Sequence, residues 1–281
     1  MMGSEGAGMA EEKAAPGGRP VLEARGIVKI FGQHRALDGV DFTAHAGEVH
    51  ALLGENGAGK STLIKILTGA YQPDEGELRL DGTPIQLRNP LHGQGFGIGT
   101  VYQEVNLLPN RSVAENLFIG RQPTRFGLVD RAGIVRRARE LLARYGLDID
   151  VRAELSEFSV AVQQIVAIAR AVELSGKVLV LDEPTASLDR NEVERLFDVV
   201  RGLRADGLAI IFITHFLDQV FALADRVTIL RNGTRVATQP LAALNTTDVV
   251  RMMLGKDMAF EHHPSALAGG PRGAVRVEFK G

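Results

Sequence analysis

The chain has 281 residues, 45% hydrophobic and 23% charged, with 32 Lys and Arg against 34 Asp and Glu. That balance supports a core of ordinary globular size and excludes the clustered cationic surface that nucleic-acid phosphates require. With no cysteine present, disulfides, thiolate metal sites and cysteine nucleophiles are excluded as well.

Residues 1–20, rich in Gly, Ala and Glu, read as a disordered tail with no apolar leader core. From Val21 onward short apolar runs alternate with helical stretches. Residues 49–53 (VHALL) form an expected buried strand, followed by a glycine-rich turn and a helix over 61–67. Between about 104 and 174 the character changes. Residues 131–145 (RAGIVRRARELLARY) are amphipathic with helical period, residues 162–172 predict a second helix, and no strand is expected. This segment reads as a helical subdomain inserted in the main fold. Residues 177–181 and 208–214 are near-continuous apolar strands of the kind buried on both faces in a helix-covered parallel sheet. The fold class is therefore α/β. The longest apolar runs fall far short of the ~20 residues a membrane span needs.

Residues 262–273 read as a linker by their Pro, Gly and Ala content, and the expected main domain covers 21–258. Residues 275–281 can be laid over 20–26, with Glu, a basic residue and Gly coinciding. The segment 259–281 is thus expected to be a linker plus the start of a second, truncated copy. His262 and His263 lack metal-ligand spacing, and His34, His45, His50 and His92 have no partner visible in the sequence.

Two motifs carry chemistry. Gly54, Glu55, Asn56, Gly57, Ala58, Gly59, Lys60 and Ser61 fit G-x-x-x-x-G-K-[ST] between a strand and a helix. Glycines let successive N–H groups curl around an anion, and the helix start adds unpaired N–H groups and the positive end of its dipole. Lys60 is positioned to neutralise phosphate charge, and the Ser61 hydroxyl is a hard oxygen ligand for Mg²⁺. The second motif is the apolar strand that ends in Asp182 and Glu183. Adjacent carboxylates at the carboxyl end of a buried strand need a cation or water beside them. Asp182 is the expected metal ligand and Glu183 the expected general base for water.

With these motifs in place, the chain resembles the ABC transporter ATPase family from Val21 to about Met258. That family has a phosphate-loop NTPase core, an inserted helical subdomain and an N-terminal antiparallel β region. The resemblance implies that Phe31 stacks on adenine, that residues Gly54 to Thr62 hold the phosphates of ATP, and that Gln103 contacts Mg²⁺ and the attacking water. It makes His215 the histidine that bonds the γ-phosphate, and Asp189 a residue crossing a dimer interface. The family signature L-S-G-G-Q reads here as Phe158-Ser159-Val160-Ala161-Val162. Ser159 remains to bond a phosphate oxygen of the partner's site, while Ala161 adds a Cβ where backbone approaches that phosphate.

The altered signature is similar to that in first halves of tandem sugar-import ATPases of the ribose, xylose and galactose type. The resemblance narrows to the ATP-binding subunits of bacterial galactofuranose importers through residues 97–120, 158–169, 182–189 and 214–220. It implies ATP hydrolysis with Mg²⁺, permease and substrate-binding-protein partners, a second ATPase half or a homodimer partner, and a peripheral place on the cytoplasmic face of the inner membrane. Ribose, xylose and nucleoside import remain open. A soluble ABC ATPase acting on ribosomes or DNA is a weaker rival, since neither a long charged linker nor an inserted coiled coil is present. A regulatory domain that binds ATP without hydrolysing it is a third class, against which Glu183 and His215 speak.

Overall fold

The structure is a computed structural model describing residues 18–102, 107–125 and 127–255. Strands β1 (Pro20–Phe31) and β2 (His34–His45) pair antiparallel, Phe31 facing His34 at the turn. Pro20 thus stands in β1, just inside the segment expected to be tail. Then follow β3 (Val49–Leu53), α1 (Lys60–Leu67), β4 (Glu75–Leu80), β5 (Thr83–Ile85), α2 (Pro90–Gly95) and β6 (Ile98–Val101). The helical region holds α3 (Val113–Phe118), α4 (Arg131–Ala143) and α5 (Val160–Leu174). Between α3 and α4 lie β7 (Thr124–Arg125) and β8 (Leu128–Val129), a minimal hairpin that corrects the expectation of no strand there. Two-residue strands carry no alternation long enough to read. The chain continues with β9 (Val178–Asp182), α6 (Arg190–Ala205), β10 (Ala209–Ile213), α7 (Leu217–Leu223), β11 (Arg226–Arg231), β12 (Thr234–Pro240) and α8 (Thr246–Leu254). The linker and second-copy start at 259–281 and the tail at 1–17 lie outside the described residues.

Two larger sheets organise these elements. The antiparallel sheet runs β2-β1-β4-β5, and the central sheet runs β12-β11-β3-β10-β9-β6. In the central sheet β11, β3, β10, β9 and β6 are parallel, and β12 adds an antiparallel edge. The α/β class follows. Every residue of β3 and β10 is buried, which is why both read as apolar runs, broken only by His50 in β3.

One core cluster packs α1 between the antiparallel sheet and the central sheet, through Phe42, Leu63, Ile66 and Ile211. A second, with Ile168, Phe197 and Phe212, packs α5 and α6 on the opposite face. The helical region has its own cluster around Val113, Ala138, Leu142 and Val166. Helix α5 serves both: Ile168 faces the sheet side and Val166 the helical side. Its all-round apolar sequence is what a helix buried between two bodies requires. The carboxyl ends of β3, β9 and β10 lie side by side, and the candidate site forms there.

Candidate functional site

The turn after β3 is shaped by glycines in the left-handed region. A Cβ at Gly54 would run into the Leu230 carbonyl, and one at Gly59 would lie 2.8 Å from the Ala36 oxygen. Gly59, at φ 103°, is the N-cap of α1; it offers no side-chain cap, and the first turn has no acidic residue. The N–H groups and dipole at this helix start are left to an external anion. Lys60 Nζ donates to the carbonyls of Gly54 (2.7 Å) and Glu55 (3.0 Å) and so lies back across the turn. Burial lowers the Lys60 ammonium pKa, while Glu183 and Asp182 pull it back up. Ser61 is exposed beside it.

Asp182 ends β9, half-buried. Burial raises its carboxyl pKa, the neighbouring Glu183 raises it further, and Lys60 and Lys65 oppose both. A carboxylate held this way gains from a bound cation. Glu183 follows with φ 49°, a left-handed conformation rare for a residue with a side chain. Its N–H donates to the Ile213 carbonyl at 2.9 Å, tying the end of β9 to that of β10. His215, two residues past β10, is exposed, with Nδ1 3.3 Å from Glu183 Oε1. Glu183, His215, Thr214, Lys60 and residues 54–56 line one open cleft of about 800 Å³.

A second cleft of about 280 Å³ joins Phe31, His34 and Ala36 to residues 56–62, including Gly57, Ala58 and Thr62. Phe31 is 43% exposed. Its ring meets Tyr71 edge-on at 5.5 Å, and Lys29 Nζ lies 5.5 Å from the ring centroid. Lys29 is fixed by Asp74, which accepts from Lys29 Nζ and from the Ile30 N–H. The Phe31 ring is therefore a braced, solvent-facing plate rather than a core residue.

Other predicted residues stand elsewhere. Gln103 lies outside the described residues. Ser159 is the exposed N-cap of α5, and its Oγ accepts from the Val162 N–H at 3.5 Å. Asp189 caps α6, exchanging hydrogen bonds with Glu192. Neither lines the two clefts. The expectation for Ala161 needs correction: Ala161 is 5% exposed, so its methyl is enclosed by its own chain, and Val160, at 47%, is the exposed substituent.

Several polar groups escaped the sequence reading. Gln219, on α7, accepts from the hydroxyls of Thr185 and Thr214. Gln164, on α5, donates to the Pro184 carbonyl, and its Oε1 is enclosed with no partner among the described residues. His45, His50 and His92 do have partners. Fully buried His50 contacts the Thr43 carbonyl through Nδ1 (2.9 Å) and Thr228 Oγ1 through Nε2 (2.8 Å). Burial, reinforced by Arg226, lowers its pKa to about 3. Glu48 Oε2 lies 2.9 Å from His45 Nδ1, and its carboxylate lies 3.5 Å from Arg226; burial raises its pKa to about 7 against the pull of Arg226. His92 Nδ1 accepts from the Arg88 N–H. A histidine inside an apolar strand such as VHALL is the one signal that marked this cluster.

The donor set suits Mg²⁺ and a polyphosphate. Among the described residues no group of three or more His, Cys, Asp and Glu could hold a metal alone. Mg²⁺ takes one or two protein oxygens and completes its shell with phosphate and water, and Ser61 and Asp182 offer that number beside an open helix start.

Comparison with known proteins places this geometry among relatives. The family model described as "ABC transporter" matches residues 37–186, more than half of the chain. The galactofuranose transporter ATP-binding protein of Escherichia coli (strain K12) is 58% identical over 238 residues, 85% of this chain and 48% of that protein. A ribose import ATP-binding protein of Rubrobacter xylanophilus is 51% identical over 240 residues, again 85% and 48%. The chain spans about half the length of these curated relatives. A solved ATP-binding cassette of an ABC transporter in its ADP conformation superposes with a TM-score of 0.74 at 29% identity, covering 85% of this chain and 100% of that one.

Proposed function

The chain belongs to the ABC transporter family, and on that premise we propose that it is the ATP-binding and ATP-hydrolysing subunit of an importer, powering uptake of a sugar through a partner permease. One observation carries the reading. Lys60 at the uncapped start of α1, Glu183 just past β9 and His215 converge on a single open cleft, with the Phe31 plate at the neighbouring one.

In this reading Phe31 stacks on adenine, and residues Gly54 to Thr62 bind the phosphates through backbone N–H groups and Lys60. Ser61, Asp182 and Gln103 would hold Mg²⁺, which supplies positive charge at the β- and γ-oxygens. Glu183 accepts the proton of the attacking water and aims it in line with the γ-phosphorus. His215 hydrogen-bonds the γ-phosphate. Positioning and fixed charge supply the catalysis, because phosphoryl transfer leaves little covalent work to the protein.

Ser159 and Asp189, absent from both clefts, are assigned to the facing site of a second ATPase half or a second copy. The permease is assigned to the face near Gln103 and the segment to about Gly120, with a substrate-binding protein delivering the sugar. Among the described residues no helix is long and apolar enough to cross a membrane. The chain is accordingly proposed to sit on the permease at the cytoplasmic face of the inner membrane. Galactofuranose is the proposed sugar, because the relative named for it shares 58% of aligned residues against 51% for the ribose one.

The test is reconstitution of the chain with the permease and binding protein encoded beside it. Mg²⁺-dependent phosphate release stimulated by loaded binding protein, with uptake of labelled galactofuranose, is expected. Absence of phosphate release would overturn the ATPase reading, and release without Mg²⁺ dependence would overturn the metal-ligand roles of Ser61 and Asp182. Uptake of ribose, xylose or a nucleoside in its place would overturn only the sugar.

A further inference from the structure

Glu183 and His215 follow neighbouring parallel strands, Asp182 of β9 being in register with Ile213 of β10. One backbone bond, Glu183 N–H to the Ile213 carbonyl, joins the two segments just past the strand ends. Beyond it the chain turns back at 183–188 on one side, through the Ala186 N–H to the Glu183 carbonyl and the Leu188 N–H to the Thr185 carbonyl. On the other side it enters α7. No second backbone bond crosses between these turns among the described residues. The relative placement of acid and histidine must then depend on side chains.

Gln219 spans the gap. Its Oε1 accepts from Thr185 Oγ1 at 2.6 Å and from Thr214 Oγ1 at 3.3 Å. Thr185 lies two residues past Glu183, and Thr214 immediately precedes His215. Thr214 Oγ1 also accepts the Phe216 N–H at 3.1 Å, so the bridge reaches the backbone on the far side of His215. Both threonines are 3% exposed, so their hydroxyls depend on this acceptor rather than on water. On the opposite flank Gln164 Nε2 holds the Pro184 carbonyl at 3.1 Å. A residue at positive φ such as Glu183 persists only where its surroundings over-determine it, and these two glutamines flank it.

We propose that Gln219 is a positioning residue: through Thr185 and Thr214 it locks the turn bearing Glu183 to the turn bearing His215, so that acid and histidine meet the nucleotide as one rigid pair. The proposal rests on the reading of the chain as an ATPase. It uses only one atom of the side chain, an acceptor oxygen with two lone pairs for two hydroxyl donors. A carboxylate can therefore do the same work, and an isosteric apolar side chain cannot.

The full chain is compared as wild type, Gln219→Leu and Gln219→Glu, by amide hydrogen exchange and by steady-state hydrolysis of Mg-ATP. For Gln219→Leu, exchange at the Phe216 and Ala186 amides should quicken about ten-fold while the amides of β9 and β10 hold. Its kcat should fall about ten-fold with KM for ATP changed less than about two-fold, the signature of a misplaced reacting group rather than of lost binding. Gln219→Glu should restore exchange and kcat to within about two-fold of wild type. Unchanged exchange in Gln219→Leu would overturn the bridge, whatever the hydrolysis rate. Unchanged kcat, a rise in KM equal to the fall in kcat, or a Glu variant as impaired as the Leu variant would overturn the positioning role. If wild type itself neither binds nor hydrolyses Mg-ATP while exchange responds as expected, the ATPase reading fails and takes the catalytic role with it, leaving a bridge between two turns.

Discussion

Helices α1 and α5 both begin where a phosphate is expected, and they begin differently. Helix α1 starts on Gly59 in the left-handed region, with no side chain capping it and no acid in its first turn. Helix α5 starts on Ser159, whose hydroxyl already serves the Val162 N–H, with Val160 exposed beside it. The first start is useful because it is unfinished: its donors are aimed outward by glycine geometry and wait for an anion. The second already has one local acceptor, the Ser159 hydroxyl, and its use to a nucleotide depends on what a facing surface brings. On the proposed function, the chemistry resident in this chain sits at α1 and the ends of β9 and β10, while α5 would contribute an edge to the site of a facing ATPase half.

The sharpest way to break this contrast is to remove the proton acceptor from the α1 side. Glu183→Gln keeps the volume and the strand end, and should lower kcat about 10³-fold with ATP affinity unchanged by calorimetry. Turnover at the wild-type rate would move the chemistry away from β9. Next in size is Lys60→Ala. A charge-assisted contact to phosphate is worth about 1.5–3 kcal/mol, so ATP affinity should weaken about 10- to 100-fold in the same titration. Unchanged affinity would mean that the open helix start alone holds the nucleotide.

A third experiment separates the two regions by pH. Glu48, immediately before β3, has its carboxyl pKa raised to about 7 by burial. In the unfolded chain it returns to about 4.5. The folded state therefore holds this proton more tightly, and the resulting stability is complete below about 4.5 and lost as pH rises through about 7. His50, lowered to about 3 from 6.5, works the other way, its contribution being lost as pH falls below the unfolded value. The difference between wild type and Glu48→Gln isolates the carboxyl. The Gln variant should gain on wild type as pH rises from 5 to 8, by on the order of 1–3 kcal/mol in urea unfolding. Among the described residues Glu48 is the one buried acid, so a pH-independent difference would place the perturbation outside the Glu48 carboxyl.

What could be read from residue order was whatever is written locally. The phosphate loop is contiguous because consecutive N–H groups must surround one anion. The acids at 182 and 183 are legible because they close a run of buried apolar residues. Buried strands β3 and β10 announce themselves as apolar runs. Gln219 was illegible for the opposite reason. Its partners lie 34 and 5 residues away, and nothing about a glutamine on a short helix tells which hydroxyls it will meet. The Ala161 expectation failed in a related way. Its place in the signature was clear, but a helix turns each successive residue by about 100°, and which of two neighbours faces out depends on the body that α5 packs against.

That last point yields the smallest and most discriminating prediction. If α5 supplies an edge to a facing site, the obstruction there is Val160, and Ala161 is a bystander. Val160→Gly removes the exposed isopropyl group and frees the backbone to approach a phosphate. Phosphate release by the assembled dimer should rise about two- to five-fold, a gain of less than about 1 kcal/mol in the barrier. Ala161→Gly removes a methyl already enclosed at 5% exposure. It should leave the rate unchanged and cost about 1 kcal/mol of helix stability, seen as a lower melting temperature. A reversed pattern, with Ala161→Gly accelerating turnover and Val160→Gly inert, would mean that α5 rotates on assembly and that its start is not the locally capped structure contrasted above with α1.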